Sequence, residues 1–161
     1  MKQILRVLVP AAFFLGLVWV VAGWMPAAQV DKQTSRLLRA AGDRDWKTVG
    51  QLVSRHYRDP WGQDKESAIK LAAEAGRHFF ALVITPSGEP TVTADGDKTL
   101  WKGRLAFGGR GTALGEAMLS RTSEFREDFV FAWRRESWKP WDWKLVSVNQ
   151  PELNINPQWM P

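Results

Sequence analysis

The chain has no cysteine in its 161 residues. That excludes disulfides, thiol nucleophiles, thiolate metal sites and an acylated lipoprotein cysteine, and it leaves the redox compartment open. Histidine is almost as scarce. His56 and His78 are the only two, with neither HxH nor HxxxH spacing, so no metal site is expected and no cofactor is called for. The chain has one tyrosine, Tyr57, and no Gly-x-Ser-x-Gly nucleophile elbow. Gly109, Gly111 and Gly115 follow a strand, but the crossover helix and parallel strand that a phosphate loop needs do not come after them. There is no basic run and no nucleic-acid-binding motif. The net charge of +5 is interspersed with acids, so nucleic acid is not an expected partner. Internal repeats and low-complexity tracts are also missing.

What the chain does have is one long apolar run. Lys2 and Arg6 precede Val7–Met25, 19 positions that carry no charge. At about 1.5 Å per residue they would reach roughly 28 Å as a helix, close to the hydrocarbon thickness of a bilayer. Cuts after Ala22 or Gly23 would suit a signal peptidase. However, the run is longer than a usual signal core, and Trp19 and Trp24 sit near its far end, as membrane-interface residues do. Residues 1–28 are therefore expected to be an uncleaved single-pass anchor, with secretion after cleavage as the alternative. The two leading cations favour the cytoplasm, which places the rest of the chain outside it, periplasmic or extracellular. Residues 29–150 are expected to form one domain, and 151–161, with Pro151, Pro157 and Pro161, an irregular tail.

Ten tryptophans against one tyrosine is an unusual balance. Large aromatic area builds a core, lines a pocket or forms an interface. Helical periodicity dominates the first part of the domain. Thr34, Leu37, Leu38 and Ala41 share a side, and Gly42 is placed to end that helix. Asp43 or Asp45 caps a second helix through Trp46, Val49, Leu52 and Val53. Residues 56–62 read as a connection. Asp64 caps a third helix whose stripe is Ile69, Ala72, Ala73, Gly76 and Phe80. From Phe79 the pattern turns extended. Thr91–Thr93 and Leu100–Phe107 flank an Asp-Gly turn signal at 94–97. Residues 108–115, rich in glycine, read as a loop. Glu124–Glu136 alternates, with Phe125, Phe129, Phe131 and Trp133 on one face, and pairs with Trp141–Val148 across Lys139-Pro140. Asp128 and Glu136 read as partners for Arg126 and Arg134. Three helices followed by four to six strands make an α+β arrangement, with helices covering one face of a curved antiparallel sheet.

The pattern resembles the nuclear transport factor 2-like (NTF2-like) superfamily, the cone-shaped, cystatin-like α+β fold that includes SnoaL-like proteins and ketosteroid isomerases. The resemblance is carried by Leu37-Leu38-Arg39-Ala40 followed by Arg44-Asp45-Trp46, by a helix at 64–80 passing straight into a strand, and by the closing hairpin from Phe129 to Val148 with its Trp143-Lys144-Leu145 triplet. It covers about residues 30–150. It implies a cavity between the concave sheet face and the helices, and a sheet face that forms homodimers. Carried onto this chain, Trp46, Tyr57, Trp61, Phe107, Phe129 and Trp133 become candidates for the cavity wall. His56, in the connection, is a candidate acid or base at the pocket mouth. The isomerase branch needs a carboxylate base converging with a tyrosine hydroxyl, and no acid here matches that base.

The expected function is therefore a membrane-anchored, extracytoplasmic domain that binds a small hydrophobic ligand or an envelope protein without catalysis. Two alternatives compete with it. One is an isomerase, dehydratase or cyclase acting on a hydrophobic ligand in the cone. The other is a structural subunit of an envelope complex, with Trp101 and Trp143 on an exposed interface.

Overall fold

The structure, a computed structural model, describes residues 25–153. The apolar run before Met25 and residues 154–161, which carry the anchor and most of the tail expected from the sequence, lie outside the described residues. Among the described residues no helix is long and apolar enough to cross a membrane.

Helix α1 (Pro26–Gly42) starts with proline in its first turn, where the missing N–H costs nothing, and buries Val30, Thr34, Leu37, Leu38 and Ala40. Gly42 does not end it by adopting a left-handed conformation. That conformation belongs to Arg44, at φ 59°. Gly42 is there for proximity, because a Cβ on it would lie 2.9 Å from the Leu82 carbonyl oxygen. Helix α2 (Trp46–Leu52) is capped by Asp45, whose carboxylate accepts from the Thr48 amide at 3.0 Å and the Thr48 hydroxyl at 2.6 Å. Helix α3 (Lys65–Gly76) is capped by Asp64 through the Ser67 amide. Lys65 reaches back to the carbonyls of Gly50 and Val53 at 2.6 and 2.8 Å, satisfying acceptors that the end of α2 leaves open. The third helix stops at Gly76, so Phe80 falls in the following strand and is 70% exposed. Of the expected stripe only Gly76 is fully buried.

The sheet is antiparallel in the order β1-β2-β3-β4, with β1 (Phe79–Asp95), β2 (Lys98–Gly111), β3 (Phe129–Arg135) and β4 (Trp143–Asn149). The Gly96-Asp97 turn forms as expected, with Gly96 at φ 59°. The strands it joins are much longer than their apolar patches. β1 continues unbroken through an irregularity between Ser87 and Thr91, which Gly88 and Pro90 accommodate. The glycine-rich stretch is not a loop. β2 extends through it and is followed by a fourth helix, α4 (Ala113–Ser123), whose start Thr112 caps through the Gly115 amide. These glycines permit crowding, since a Cβ on Gly111 or Gly115 would sit 2.3 or 2.4 Å from the His78 carbonyl oxygen. β3 begins at Phe129, five residues after the alternating segment does. The segment Val53–Arg58 covers the outer edge of β4, with the Ser54 and Arg58 amides donating to Leu145 and Val146.

The expected charge pairs are rearranged. Asp128 meets Lys102 and Arg104 at 3.8 and 3.9 Å, and Arg134 meets Asp97 at 3.8 Å. Glu136 instead accepts the hydroxyl of Ser54. The ion pairs are largely exposed, so each contributes well under about 1 kcal/mol.

Register across the sheet aligns Val92, Trp101, Phe131 and Val148 in one row, and Thr99, Trp133 and Leu145 in the next. This inner face packs on Val30, Leu37, Leu38, Val49 and Leu52 from the helices. Trp101 and Trp133 are fully buried at its centre. The Trp101 Nε1–H donates to Asp31 at 2.9 Å, and the ring stands edge-on to Phe131 at 5.4 Å. The Trp133 Nε1 is buried with no partner among the described residues.

Two stability predictions follow from this packing. Gly42→Val should lower the unfolding free energy in urea by about 2 kcal/mol, as overpacking against fixed backbone does. Trp101→Phe should cost about 1 kcal/mol more than Trp133→Phe in the same assay, because only the first leaves a half-buried carboxylate oxygen without its donor.

Candidate functional site

The residues expected to wall a single cavity are spread over four places. Trp46 lies against Gly76, with ring carbon Cζ2 2.9 Å from where a Cβ would stand, so it seals the seam between α2 and α3. Trp61 donates its indole N–H to the Leu153 carbonyl at 2.8 Å and holds down the chain after β4. His56 is exposed and pairs with its neighbour Arg55 at 3.0 Å. Among the described residues it makes no hydrogen bond to the Tyr57 hydroxyl, which is bonded to Asp59. Trp133 is in the core. Only Phe107 and Phe129 come together, with ring centroids 5.8 Å apart, and Phe125 joins them at 6.2 Å from Phe129.

The Tyr57 hydroxyl is buried and donates to Asp59 Oδ2 at 3.2 Å. This is the one place where a tyrosine hydroxyl meets a carboxylate. The other oxygen of Asp59 accepts the amides of Trp61 and Gln63 at 3.0 and 2.9 Å, which folds the 59–63 turn. The carboxylate is thus a turn-former with most of its acceptor capacity in use. Burial, and then the Asp59 charge, push the Tyr57 phenol far above its ordinary range.

The aromatic trio opens onto a cleft of about 300 Å³ lined by Leu105, Phe107, Phe125, Phe129, Arg104 and Glu127, with Ser87 at its rim. Phe129 and Gly103 are register partners, as are Lys98 and Arg134. The cleft is therefore at the end of the sheet opposite the β1–β2 turn. A second cleft, also about 300 Å³, runs between α1 and the β1 edge, from Ser35 and Arg39 across to Leu82–Pro86. Neither cleft reaches the middle of the cone, which the tryptophans fill.

Trp101 and Trp143 are not on an exposed face. Trp143 is buried, and its indole N–H donates to the Pro140 carbonyl at 2.9 Å. Exposed aromatic area belongs instead to Phe80, Trp138 and Trp141. Among the described residues no cluster of histidine, aspartate or glutamate could hold a metal ion.

Because Tyr57 is the only tyrosine, phenolate absorbance reports it alone. Its proton is held in the folded state above the pH at which an unfolded tyrosine ionises, about 10. Stability from this group is complete below that pH and falls as pH rises beyond it, since the unfolded chain then binds fewer protons. The native protein should show no phenolate absorbance until it unfolds. Tyr57→Phe should flatten the alkaline loss of stability measured by denaturant titration.

No protein-family model matches the sequence, and no curated protein matches it. Solved structures do match in backbone. An NTF2-like superfamily protein from Salmonella enterica serovar Typhimurium superposes with a TM-score of 0.59 at 12% identity, covering 84% of this chain and 97% of that one. LinA gives 0.55 at 15% identity, covering 76% and 82%. Bd1075 from Bdellovibrio bacteriovorus gives 0.56 at 9% identity over 74% of this chain, which spans 38% of that longer protein. At such identities the likeness is one of architecture, and the described residues have the NTF2-like, α+β fold with an antiparallel four-stranded sheet.

Proposed function

We propose that this protein is a membrane-anchored domain, facing away from the cytoplasm, that binds a small hydrophobic ligand or a protein partner and performs no chemistry. The observation that supports this most is the filled cone. Where a catalytic NTF2-like cavity would hold substrate against convergent polar groups, Trp101, Phe131 and Trp133 pack on the helices instead. The Tyr57–Asp59 pair is built into a turn, and His56 points elsewhere. An isomerase of the kind the resemblance suggests would need a free acid beside a tyrosine hydroxyl, and a dehydratase or cyclase a free acid or base facing its substrate.

Binding is then a property of the open end. The Phe107–Phe125–Phe129 cleft combines three rings and Leu105 with polar side chains from Ser87, Arg104, Thr122, Ser123 and Glu127, a lining suited to a ligand that is part apolar and part polar. Anchoring rests on the uncharged Val7–Met25 run behind Lys2 and Arg6.

Two measurements test the two halves separately. The full chain should resist alkaline extraction from membranes and retain an intact terminus from Met1 to Arg6; a mature chain starting near residue 23 would remove the tether. Leu105→Arg should weaken binding of an apolar fluorescent probe at least about fivefold while leaving the melting transition within a few degrees, as expected when one charge enters an apolar pocket. An unchanged probe affinity would remove the open-end cleft as the binding site.

A further inference from the structure

The β3–β4 connection presents two tryptophans to solvent: Trp138 is 83% exposed and Trp141 56%. An exposed indole at a hairpin tip serves no packing purpose, and two in four residues form an apolar protrusion on an otherwise charged surface. The protrusion is rigidly built. The Glu136 amide donates to the Asp142 carbonyl at 3.0 Å, the Asp142 amide to the Lys139 carbonyl at 3.2 Å, and the Trp143 indole to Pro140 at 2.9 Å. Its acids face partners within the domain. The Asp142 carboxylate is kept in its charged form chiefly by the Ser137 hydroxyl, with Lys144 beside it at 3.4 Å, and Glu136 accepts from Ser54. Arg135 and Lys139 are exposed and belong to no ion pair among the described residues. The tip therefore offers two indoles flanked by two exposed cations, of which Lys139 also acts on the nearby Asp142 carboxylate.

Its position gives this composition meaning. Trp141 lies beside the first half of α1, where the Gln33 side-chain amide donates to the Trp141 carbonyl at 3.1 Å. From Gln33 back to Pro26 is seven residues, about 10 Å of helix. Pro26 is the first residue of α1, and the apolar run ends at Met25, so no linker separates the two. A chain anchored by that run would hold this end of the domain within about 10 Å of the point where it leaves the bilayer, comparable with the depth of the headgroup layer.

We propose that the 137–141 tip is a second membrane contact, in which Trp138 and Trp141 enter the lipid interface while Arg135 and Lys139 meet anionic headgroups. This rests on the anchored reading above. Indoles favour the boundary between hydrocarbon and water, and juxtamembrane cations are attracted to anionic lipid. The two contacts together fix the domain's orientation, whereas a single helix would leave it free to pivot. In that orientation the Phe107–Phe125–Phe129 cleft, at the other end of the sheet, faces away from the bilayer.

The absence of cysteine makes the test direct. Single-cysteine versions of the full chain, Lys139→Cys at the tip and Ser123→Cys near the opposite end, are labelled with an environment-sensitive fluorophore. They are then reconstituted into phosphatidylcholine–phosphatidylglycerol vesicles carrying a headgroup-level lipid quencher. The expected result is co-flotation of both proteins and at least about twofold quenching at 139, with none at 123. That quenching should be lost when Trp138→Ala and Trp141→Ala are added, with the melting transition unchanged. Co-flotation without quenching at 139 would overturn the tip contact and leave the anchor standing. Disulfide formation between two unlabelled Lys139→Cys chains in the vesicles, in place of quenching, would assign the tip to a second copy and overturn it likewise. Failure to co-float would overturn the anchor and this contact with it.

Discussion

The hydrogen bond from Trp101 to Asp31 governs more of this structure than any other single contact. It joins the second turn of α1 to the first part of β2, across the layer where an NTF2-like cone is ordinarily open. Burying one tryptophan removes some 200 Å² from water, worth about 5 kcal/mol as an upper bound. The bond removes the penalty of burying the indole N–H with it. Once Trp101 is inside, Phe131 takes its edge, Gly103 must stay without a side chain beside the ring, and Leu37 and Leu38 have a flat surface to lie on. α1 is held at both ends, by Asp31 near its start and by Gly42 against β1 at its finish. A deep cavity is incompatible with this arrangement.

Much of the architecture was legible because its determinants are local. Asp45 and Asp64 cap helices from their own sequence context, and Gly96 turns a two-residue hairpin wherever it stands between extended segments. The fourth helix was not legible, because the glycines before and inside it look like breakers in isolation. For Gly111 and Gly115 the reason is the carbonyl of His78, more than thirty residues away in sequence, which no local pattern reports. The full lengths of β1 and β2 were hidden in the same way. The middle of β1, with Pro86, Gly88 and Pro90, and the end of β2, with Gly108, Gly109 and Gly111, have poor strand propensity, and the β2 glycines are held extended by pairing with Phe79–Val83.

The candidate site was read less well, although part of the error was avoidable. Trp101 lies six residues from Phe107, an even number, so strand alternation alone puts both on the same face. Assigning Phe107 to the inner wall and Trp101 to an outer interface was internally inconsistent. Trp143 and Leu145 share a face by the same parity. What parity could not supply is depth. Phe107, Phe129 and Trp133 all point inward, but the first two line the cleft at one end of the sheet, and Trp133 lies in the core under the helices.

The two ends of the sheet therefore carry different chemistry for a single structural reason. Tryptophans crowd the end where α1 begins, filling the cone there and leaving Trp138 and Trp141 with no interior to enter. Phenylalanines line the cleft at the other end, beside the last residues of α4. Apolar area that cannot be buried within the domain must meet another apolar phase or a partner. At the first end the nearest candidate phase is set by the chain itself, since the sequence immediately before Pro26 is nineteen uncharged residues. At the second end no described residue fills the space between its three rings. Filling the centre is what separates these two roles, because a side chain committed to the core can serve neither surface.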